Sequence, residues 1–357
     1  MWSSCEVLQL VSARIPGVCV SSVARDNLVA LALRLPRVFS SYYLECRLSA
    51  AREQVDFLAC TAASGDDEAA ARARALDPMP GAVVHEPAWR LAWEAVRRWL
   101  DPASAWSARV PSLWLEFDQL NSRPAARQLP SLCVCADPGY PRNARSEHRA
   151  RGAPYEHCLD LVASATPRNF GALFSVSNRR AVSTCFERLP PGGRIIYVSF
   201  MVAREPAIIK IYGMVPRAHL VTYLNDLRWS GPFDLLQYVV HTFCTPETAD
   251  DTVYFDLAVE HEILPHTAIT FSQPQLERPG GADPRRAALL TLLEAEGICA
   301  PDKGDALRSW PGSDRESLAH SSQVRIQRWL DVKLTVHAEE GVGGKGYLGF
   351  APVLSMF

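Results

Sequence analysis

The sequence predicts an α+β protein in which antiparallel strand hairpins alternate with pairs of helices. Short runs of aromatic and β-branched residues occur in pairs joined by a few turn-forming residues, which is typical of β-hairpins. Two stretches with helical periodicity stand between successive pairs. Apolar and polar residues alternate within the strands, so each strand has one apolar and one polar face. This order of elements differs from the strand–helix–strand order that builds a parallel sheet.

Five hairpins are predicted from these runs. The third is the most distinct, because Arg204-Glu205-Pro206 forms a tight turn between its strands. Glycine clusters at 192–193 and 341–344 do not continue as phosphate loops, so we interpret both as turns that precede strands. In chain order the paired strands span residues 42–48 with 54–61, 110–118 with 129–136, 194–203 with 207–213, 252–261 with 266–272, and 329–337 with 345–350.

Helices are predicted before the first hairpin and between the others. The first helix would place Val23, Leu28, Leu31 and Leu35 on one face, and Pro36 would help to end it. The predicted helices span residues 22–37, 66–76, 87–100, 155–164, 178–189, 215–227, 232–243, 284–296 and 301–309.

The alternation gives the predicted sheet two unlike faces. The apolar face includes Val253, Phe255, Leu257 and Val259 in one strand and Val332, Leu334 and Val336 in another; the polar face includes Tyr254, Asp256, Asp331, Lys333, Thr335 and His337. Helices would cover the apolar face. Two architectures remain open, namely an open sheet with a solvated face, or a barrel with helices outside and the polar face around an interior large enough for a ligand.

Length and composition predict one large domain. The chain has 357 residues, of which 48% are hydrophobic, so apolar material for a core is ample. We expect a single αββα-repeat domain over residues 1–357, which could consist of two sub-halves, 1–136 and 177–357, joined by a loop-rich segment at 137–176.

The charge balance argues against polyanionic partners. The formal net charge is −2 and the isoelectric point is about 6.5, so no basic excess points to nucleic acid or to an anionic membrane surface. No apolar run reaches the roughly 18–20 residues of a membrane helix, and we expect a cytoplasmic protein. Cysteines such as Cys46, Cys60, Cys185 and Cys244 occupy apolar positions and are expected to be reduced thiols.

Two clusters contain metal-ligand residue types without the spacing that metal sites use. They are Cys133 and Cys135 with His148, His157 and Cys158, and Glu260, His261 and Glu262 with His266. Structural zinc sites favour two cysteines separated by two residues, and His261 falls on the predicted apolar face as a core histidine. We therefore expect no metal and no cofactor. Elemental analysis of protein purified without added metal should find no stoichiometric zinc.

Two Lys-x-Tyr pairs, Lys210-Ile211-Tyr212 and Lys345-Gly346-Tyr347, lie on predicted strands of the αββα units. The repeated units and these pairs resemble the aromatic and peptide prenyltransferases, whose ten-stranded antiparallel barrels hold an isoprenoid diphosphate on such pairs. The resemblance implies a barrel fold and diphosphate binding by Lys210, Tyr212, Lys345 and Tyr347. A further basic position of that family has no match, since Thr252 stands before Tyr254.

Three segments resemble an uncharacterised bacterial family associated with gene clusters for ribosomally made, modified peptides. They span residues 111–118, 305–312 and 345–350. The peptide-binding proteins of the crocagin pathway are the members to compare first. This resemblance implies that the protein binds a peptide and has no chemistry of its own.

The candidate site residues share the predicted polar faces. Trp114, Glu116 and Asp118 combine an aromatic ring with two carboxylates, which suits a basic or aromatic peptide side chain, although a solvated strand face would also explain them. The substrate-binding candidates are Trp114, Glu116, Asp118, Lys210, Tyr212, Tyr254, Asp256, Lys333, Lys345 and Tyr347.

Three functions remain open at this stage. We predict an accessory protein that binds the precursor of a modified ribosomal peptide. A modifying enzyme of the same pathway could be a second partner. The alternative is an aromatic or peptide prenyltransferase in which Glu116 assists removal of a proton from the aromatic nucleophile. The third is a scaffolding subunit. A closed polar chamber would favour a small ligand, and an exposed sheet edge would favour peptide capture by strand addition.

Overall fold

Antiparallel strands form a closed barrel at the centre of the molecule. The computed structural model describes residues 2–61, 85–137, 159–160, 162–164, 168–272, 283–317 and 323–353. The strands are β1 (Ser41–Arg47), β2 (Val55–Cys60), β3 (Leu113–Phe117), β4 (Ser131–Cys135), β5 (Arg194–Met201), β6 (Ile208–Pro216), β7 (Thr252–Val259), β8 (Ile263–Phe271), β9 (Gly312–Ser317), β10 (Gln323–His337) and β11 (Gly341–Val353).

The barrel closes because the first strand pairs with the last. Strands β1 to β8 pair in chain order, β8 pairs with β10, β10 with β11, and β11 with β1, all antiparallel. At the seam Tyr42 lies opposite Phe350 and Arg47 lies opposite Lys345. The predicted α+β hairpin architecture is therefore confirmed, and of the two open arrangements the chain adopts the closed barrel.

The last hairpin differs from the prediction. Strands β10 and β11 are longer than predicted and continue beyond the barrel, where β9 pairs with the first half of β10. Strand β9 is missing from the prediction because Gly312–Ser317 has no apolar alternation. The glycines at 341–344 are part of β11 and not a turn, so that interpretation was wrong. An added side-chain carbon at Gly344 would lie 2.7 Å from Leu48 and 2.9 Å from Ile298, so the glycine permits close packing inside a strand.

The helices lie on the outside of the barrel. Among the described residues they are α1 (Ser4–Val11), α2 (Ser22–Ala32), α3 (Pro87–Leu100), α4 (Ala105–Arg109), α5 (Val176–Glu187), α6 (Leu220–Asp226), α7 (Phe233–Phe243), α8 (Pro284–Ala295) and α9 (Pro301–Arg308). Helix α1 begins with a capping box between Ser3 and Glu6. The predicted helix at 66–76 and most of the one at 155–164 fall outside the described residues.

Several predicted helix details need correction. Helix α2 ends at Ala32, since the residue before Pro36 disfavours helical backbone. Val23 is 55% exposed, and Ala24 takes its place on the buried face. Residues 215–216 finish β6, where Val215 pairs with Val253, and helix α6 begins only at Leu220. His261 is exposed in the turn between β7 and β8 and is not a core histidine.

The main hydrophobic core lies between the barrel and its helices. Phe57, Phe117, Phe200, Phe255 and Phe350 all point outward from the strands and are fully buried. On α3 the three tryptophans pack into this layer as predicted, with exposures of at most 6% for Trp89, Trp93 and Trp99. Because alternate strand residues point to opposite faces, this packing fixes which residues face the barrel interior.

No helix in the described part of the chain combines the length and the apolar character that crossing a bilayer requires.

Candidate functional site

The polar faces of the strands line the barrel interior. Each outward phenylalanine of the core alternates with an inward residue; Glu116, for example, precedes the outward-facing Phe117 and lies opposite Leu58. By this alternation and the strand register, all ten candidate residues point into the barrel or its mouth. The structure thus brings together residues from β3, β6, β7, β10 and β11, although it divides them into distinct layers.

Aromatic rings fill one end of the barrel, where the strands connect to the helices. Trp329 packs against Tyr43, Tyr43 stacks on Trp114, and Trp114 contacts Tyr197, with ring centroids 5.3–5.5 Å apart. The series continues from Tyr197 to Tyr212 and from there to Tyr254. We call these six residues the aromatic plug. Of the candidates, Trp114, Tyr212 and Tyr254 belong to it, so they pack against each other below any ligand site.

A chamber of about 510 Å³ lies at the opposite end, where the hairpin turns are. This volume is within the range of about 300–1,000 Å³ that small-molecule sites occupy. Four candidates line it, namely Lys210, Asp256, Lys333 and Lys345. The arginines on its wall are Arg47, Arg52 and Arg204, and the apolar residues Ile298 and Val342 also line it.

One network of charges joins β1, β2 and β11. Arg47 bonds to Glu45 and also donates to Asp56 over 3.1 Å, and Lys345 Nζ lies 2.7 Å from Glu45 Oε1. Burial alone would raise the pKa of Glu45, but Lys345 and Arg47 hold it well below its usual range. Burial and the cations Arg47 and Lys210 lower the pKa of Lys345 despite its carboxylate partner.

A second network comes from the turn between β5 and β6. Arg204 donates to Glu116 over 2.7 Å and to both oxygens of Asp118 over 2.8 Å. These candidate carboxylates are therefore held by a protein cation and are not free to act on a ligand. In a third pair, Lys333 Nζ lies 2.5 Å from Asp256 Oδ2 and 5.1 Å from the ring centre of Tyr347.

Lys210 differs from the other interior cations. In the parts of the chain that the structure describes, no carboxylate lies within ion-pairing distance of its ammonium. Burial lowers its pKa, but the more distant carboxylates Glu116 and Asp256 outweigh that effect and raise it, so Lys210 is charged. Its neighbours on β5 and β7 are Ser199 and Ala258, whose small side chains leave space around it. Lys210 is thus the cation on the chamber floor that is best placed to take an external anion.

Two stacked histidines lie on the chamber wall. His266 on β8 and His337 on β10 lie opposite each other and stack with ring centres 4.6 Å apart. Burial and the adjacent His337 lower the pKa of His266 to about 4. At neutral pH His266 is therefore uncharged and does not contribute to anion binding.

Lys303 of α9 holds the turn that carries part of the rim. Its side chain is 5% exposed, and Nζ donates to the backbone carbonyls of Arg47, Ser49 and Arg52 over 2.9–3.0 Å. Arg52 in turn donates to Glu340 of the neighbouring hairpin turn over 2.8 Å. The β1–β2 turn is therefore fixed from the helix layer, which sets the position of the chamber mouth.

The interior residues absent from the candidates are mainly arginines and acids of the first hairpin and of a turn, namely Glu45, Arg47, Asp56 and Arg204. The composition also distinguishes the lysines, because the 37 basic residues of the chain include only four of them. Three of them, Lys210, Lys333 and Lys345, line the chamber, and Lys303 holds its rim.

Asp56 makes stability depend on pH. Burial and the neighbouring Glu45 raise its pKa to about 7, above its value in the unfolded chain, so the folded state binds an extra proton between roughly pH 4 and pH 7. Stability from this group is present at low pH and declines as pH rises through 7. We expect Asp56→Asn to remove a slope of up to about 1.4 kcal/mol per pH unit from urea unfolding free energies measured between pH 4.5 and 8.

Asp118→Asn is the matched control for this experiment. Burial would raise the pKa of Asp118, but the hydrogen bonds and charge of Arg204 lower it, so its contribution is present at neutral pH and is lost on acidification. The two variants should therefore change the pH slope in opposite directions. Equal slopes in Asp56→Asn and wild type would show that Asp56 is ionised throughout this range.

The two clusters of metal-ligand residue types do not assemble in the described residues, where no three His, Cys, Asp or Glu side chains gather in an arrangement that could hold a metal ion. Cys133 and Cys135 face the interior, and His148, His157 and Cys158 lie outside the described residues. The described cysteines are free.

Comparison with known proteins adds little beyond the fold. No family model and no curated protein matches the chain. Among solved structures, the crystal structure of AnaPT from Neosartorya fischeri is similar over 90% of this chain and 79% of that chain, with 12% sequence identity and a TM-score of 0.44. A likeness at this level says nothing of ligand or activity. The barrel itself is established by its strand pairing.

Proposed function

We propose that this protein binds an organic ligand inside its barrel by the anionic end of that ligand, with Lys210 as the ion partner. The observation that carries the proposal is the ammonium of Lys210 in the chamber, which has no carboxylate partner among the described residues, whereas the other described interior cations each bond to a protein carboxylate. A buried charge without a partner is costly, and an anionic ligand would supply the missing partner.

The ligand that we favour is a peptide, such as the precursor of a modified ribosomal peptide, inserted end first. The chamber lining combines the apolar residues Ile298 and Val342 with the charged pair Arg52 and Glu340, which suits a chain with mixed side chains. Closure leaves no free edge within the barrel, so we place the peptide in the chamber and not on a barrel strand. Among the described strands, only β9, outside the barrel, pairs on a single side.

Prenyl transfer is the second candidate, favoured by one observation. Lys210 and Lys345 of the two Lys-x-Tyr pairs line the same chamber, as binding of a diphosphate by both would require. In this function dimethylallyl diphosphate would be the ligand. Glu116 would have to leave Arg204 before it could accept a proton.

The small number of lysines permits a direct test of the proposed site. Protein labelled with carbon-13 at lysine Cε should give four resonances, and the one absent from Lys210→Met belongs to Lys210. We expect organic anions, including dimethylallyl diphosphate and short acidic peptides, to shift the Lys210 resonance more than that of Lys303. If none of these anions moves the Lys210 signal, the proposed function is wrong.

Arg90→Met is a matched control for loss of one positive charge, because Arg90 is exposed on the outer side of α3. It should leave the response of Lys210 unchanged, whereas general electrostatic attraction to the protein would weaken in both variants.

A further inference from the structure

We infer that the chamber selects a ligand end with a single negative charge, a carboxylate, over a phosphate or diphosphate. This inference rests on the proposed function and names the chemical class that the same site accepts. Three features of the barrel favour this class of ligand, namely the charges already present, the way each is paired, and the kind of cation that remains.

The interior of the barrel around the chamber is nearly neutral before any ligand binds. At the rim Arg52 pairs with Glu340, and Glu296 also lines the chamber. Below the rim five cations face the chamber, and five carboxyl groups lie beside them; they are Arg47, Arg204, Lys210, Lys333 and Lys345, and Glu45, Asp56, Glu116, Asp118 and Asp256. Because the pKa of Asp56 is raised to about 7, this carboxyl group is partly protonated at neutral pH, and at most about one positive charge is uncompensated. A single carboxylate would balance that charge, whereas a diphosphate ester, with about three negative charges, would face the protein carboxylates in excess.

The guanidinium groups, which usually bind phosphate, already contact protein carboxylates. Guanidinium groups bind phosphate oxygens in pairs, and Arg204 uses this geometry on both oxygens of Asp118, whereas Arg47 divides its donors between two carboxylates. Arg204 contacts Glu116 and Asp118, and Arg47 contacts Glu45 and Asp56. A diphosphate would have to break these contacts and leave buried carboxylates without partners.

The remaining cation suits one carboxylate. The ammonium of Lys210 is a compact point charge with three donors, and small residues stand beside it, Ser199 on one side and Ala258 on the other. Asp256 on β7 is held by Lys333, which keeps it from pairing with Lys210. The space next to Lys210 therefore accepts a small planar anion whose carbon chain extends into the rest of the chamber.

The test compares ligands that have similar carbon skeletons and different charged ends. Isothermal titration would use 3-methylbutanoate against dimethylallyl diphosphate, which share a branched five-carbon skeleton. A pool of short peptides with a free carboxyl terminus would be compared with the same pool carrying a terminal amide. The first pair distinguishes carboxylate from diphosphate, and the second distinguishes a peptide terminus from a free organic acid as the source of the carboxylate.

We expect 3-methylbutanoate to bind more tightly than dimethylallyl diphosphate, with a dissociation constant of about 1 mM or below. Lys210→Met, or Lys210→Gln if the first variant does not fold, should weaken this binding at least tenfold, and Arg90→Met should not. Peptide acids that bind at least tenfold more tightly than their amides would identify a peptide terminus as the ligand end. If the two pools bind equally while 3-methylbutanoate binds through Lys210, the ligand is a free organic acid.

Two results would overturn the inference in different ways. Binding of dimethylallyl diphosphate as tight as or tighter than that of 3-methylbutanoate, lost in Lys210→Met, would refute carboxylate selection and leave the proposed function intact. Absence of binding by every anion to the wild-type protein would refute both. The ranking of the two ligands by affinity is measured on the wild-type chain, so it does not depend on the stability of any variant.

Discussion

Replacing Lys303 with methionine is expected to lower the free energy of unfolding by about 3 kcal/mol, because three carbonyl groups of the β1–β2 turn lose a buried, charged donor. Lys303 is 5% exposed and bonds to the carbonyls of Arg47, Ser49 and Arg52, so a methionine of similar length would fill the space without satisfying them. Urea denaturation followed by tryptophan fluorescence would measure the loss. The β1–β2 turn should also become more accessible to proteases.

The control is Arg285→Met on the outer surface of α8. Arg285 also has an acidic partner, Asp250, but both side chains are about half exposed, so we expect a change of less than about 1 kcal/mol. If Lys303→Met were as stable as this control, the turn would be held by its other contacts, and the rim would not depend on α9.

Replacing Arg204 with methionine is expected to cost about 2–3 kcal/mol, since Glu116 and Asp118 would remain side by side without their cation. The guanidinium is 31% exposed, and solvent screening reduces the effect from the value for a fully buried pair. The loss should be largest at neutral pH and should shrink on acidification, because protonated carboxyl groups no longer repel each other. Urea unfolding at pH 4 and pH 7 would measure both values.

A triple variant separates charge from packing in this cluster. Arg204→Met combined with Glu116→Gln and Asp118→Asn removes the cation and both carboxylates together. We expect the triple variant to recover most of the stability lost in the single variant. A triple variant as unstable as Arg204→Met alone would show that the side chain acts through packing and not through its charge.

Much of the barrel follows from local sequence patterns. Strict alternation in β7 and in the second half of β10 identifies the face of each strand, since a shift of one residue would expose the apolar set. The pattern fails where local signals are weak, as in β9, whose residues Gly312–Ser317 are polar throughout. Closure of the barrel cannot be predicted from single hairpins, because it depends on pairing between β1 and β11 at opposite ends of the chain.

The candidate site could be predicted in part for the same reason. Alternation places Lys210, Asp256, Lys333 and Lys345 on interior faces, and the structure brings all four to one chamber. Alternation says nothing of depth along the barrel, so it cannot separate these residues from the aromatic plug. Arg204 lies in a turn where alternation does not apply, and its ion pairs depend on the tertiary fold. The scarcity of lysine relative to arginine is a further sequence signal for the chamber, since three of the four lysines line it.

The seam between β1 and β11 governs the order in which the chain can fold. Tyr42 of β1 can pair only after Phe350 of β11 has been made, so closure of the barrel has a very high contact order. Closure is therefore slow compared with formation of any single hairpin. At a synthesis rate of about 5–20 residues per second, the ribosome makes the later strand some 15–60 s after the earlier one. During that interval β1 has an unpaired edge with an uncovered backbone, which other chains can extend as a sheet. A barrel that removes all its edges when finished therefore exposes one of them throughout its own synthesis, and its yield in a cell depends on how that edge is protected.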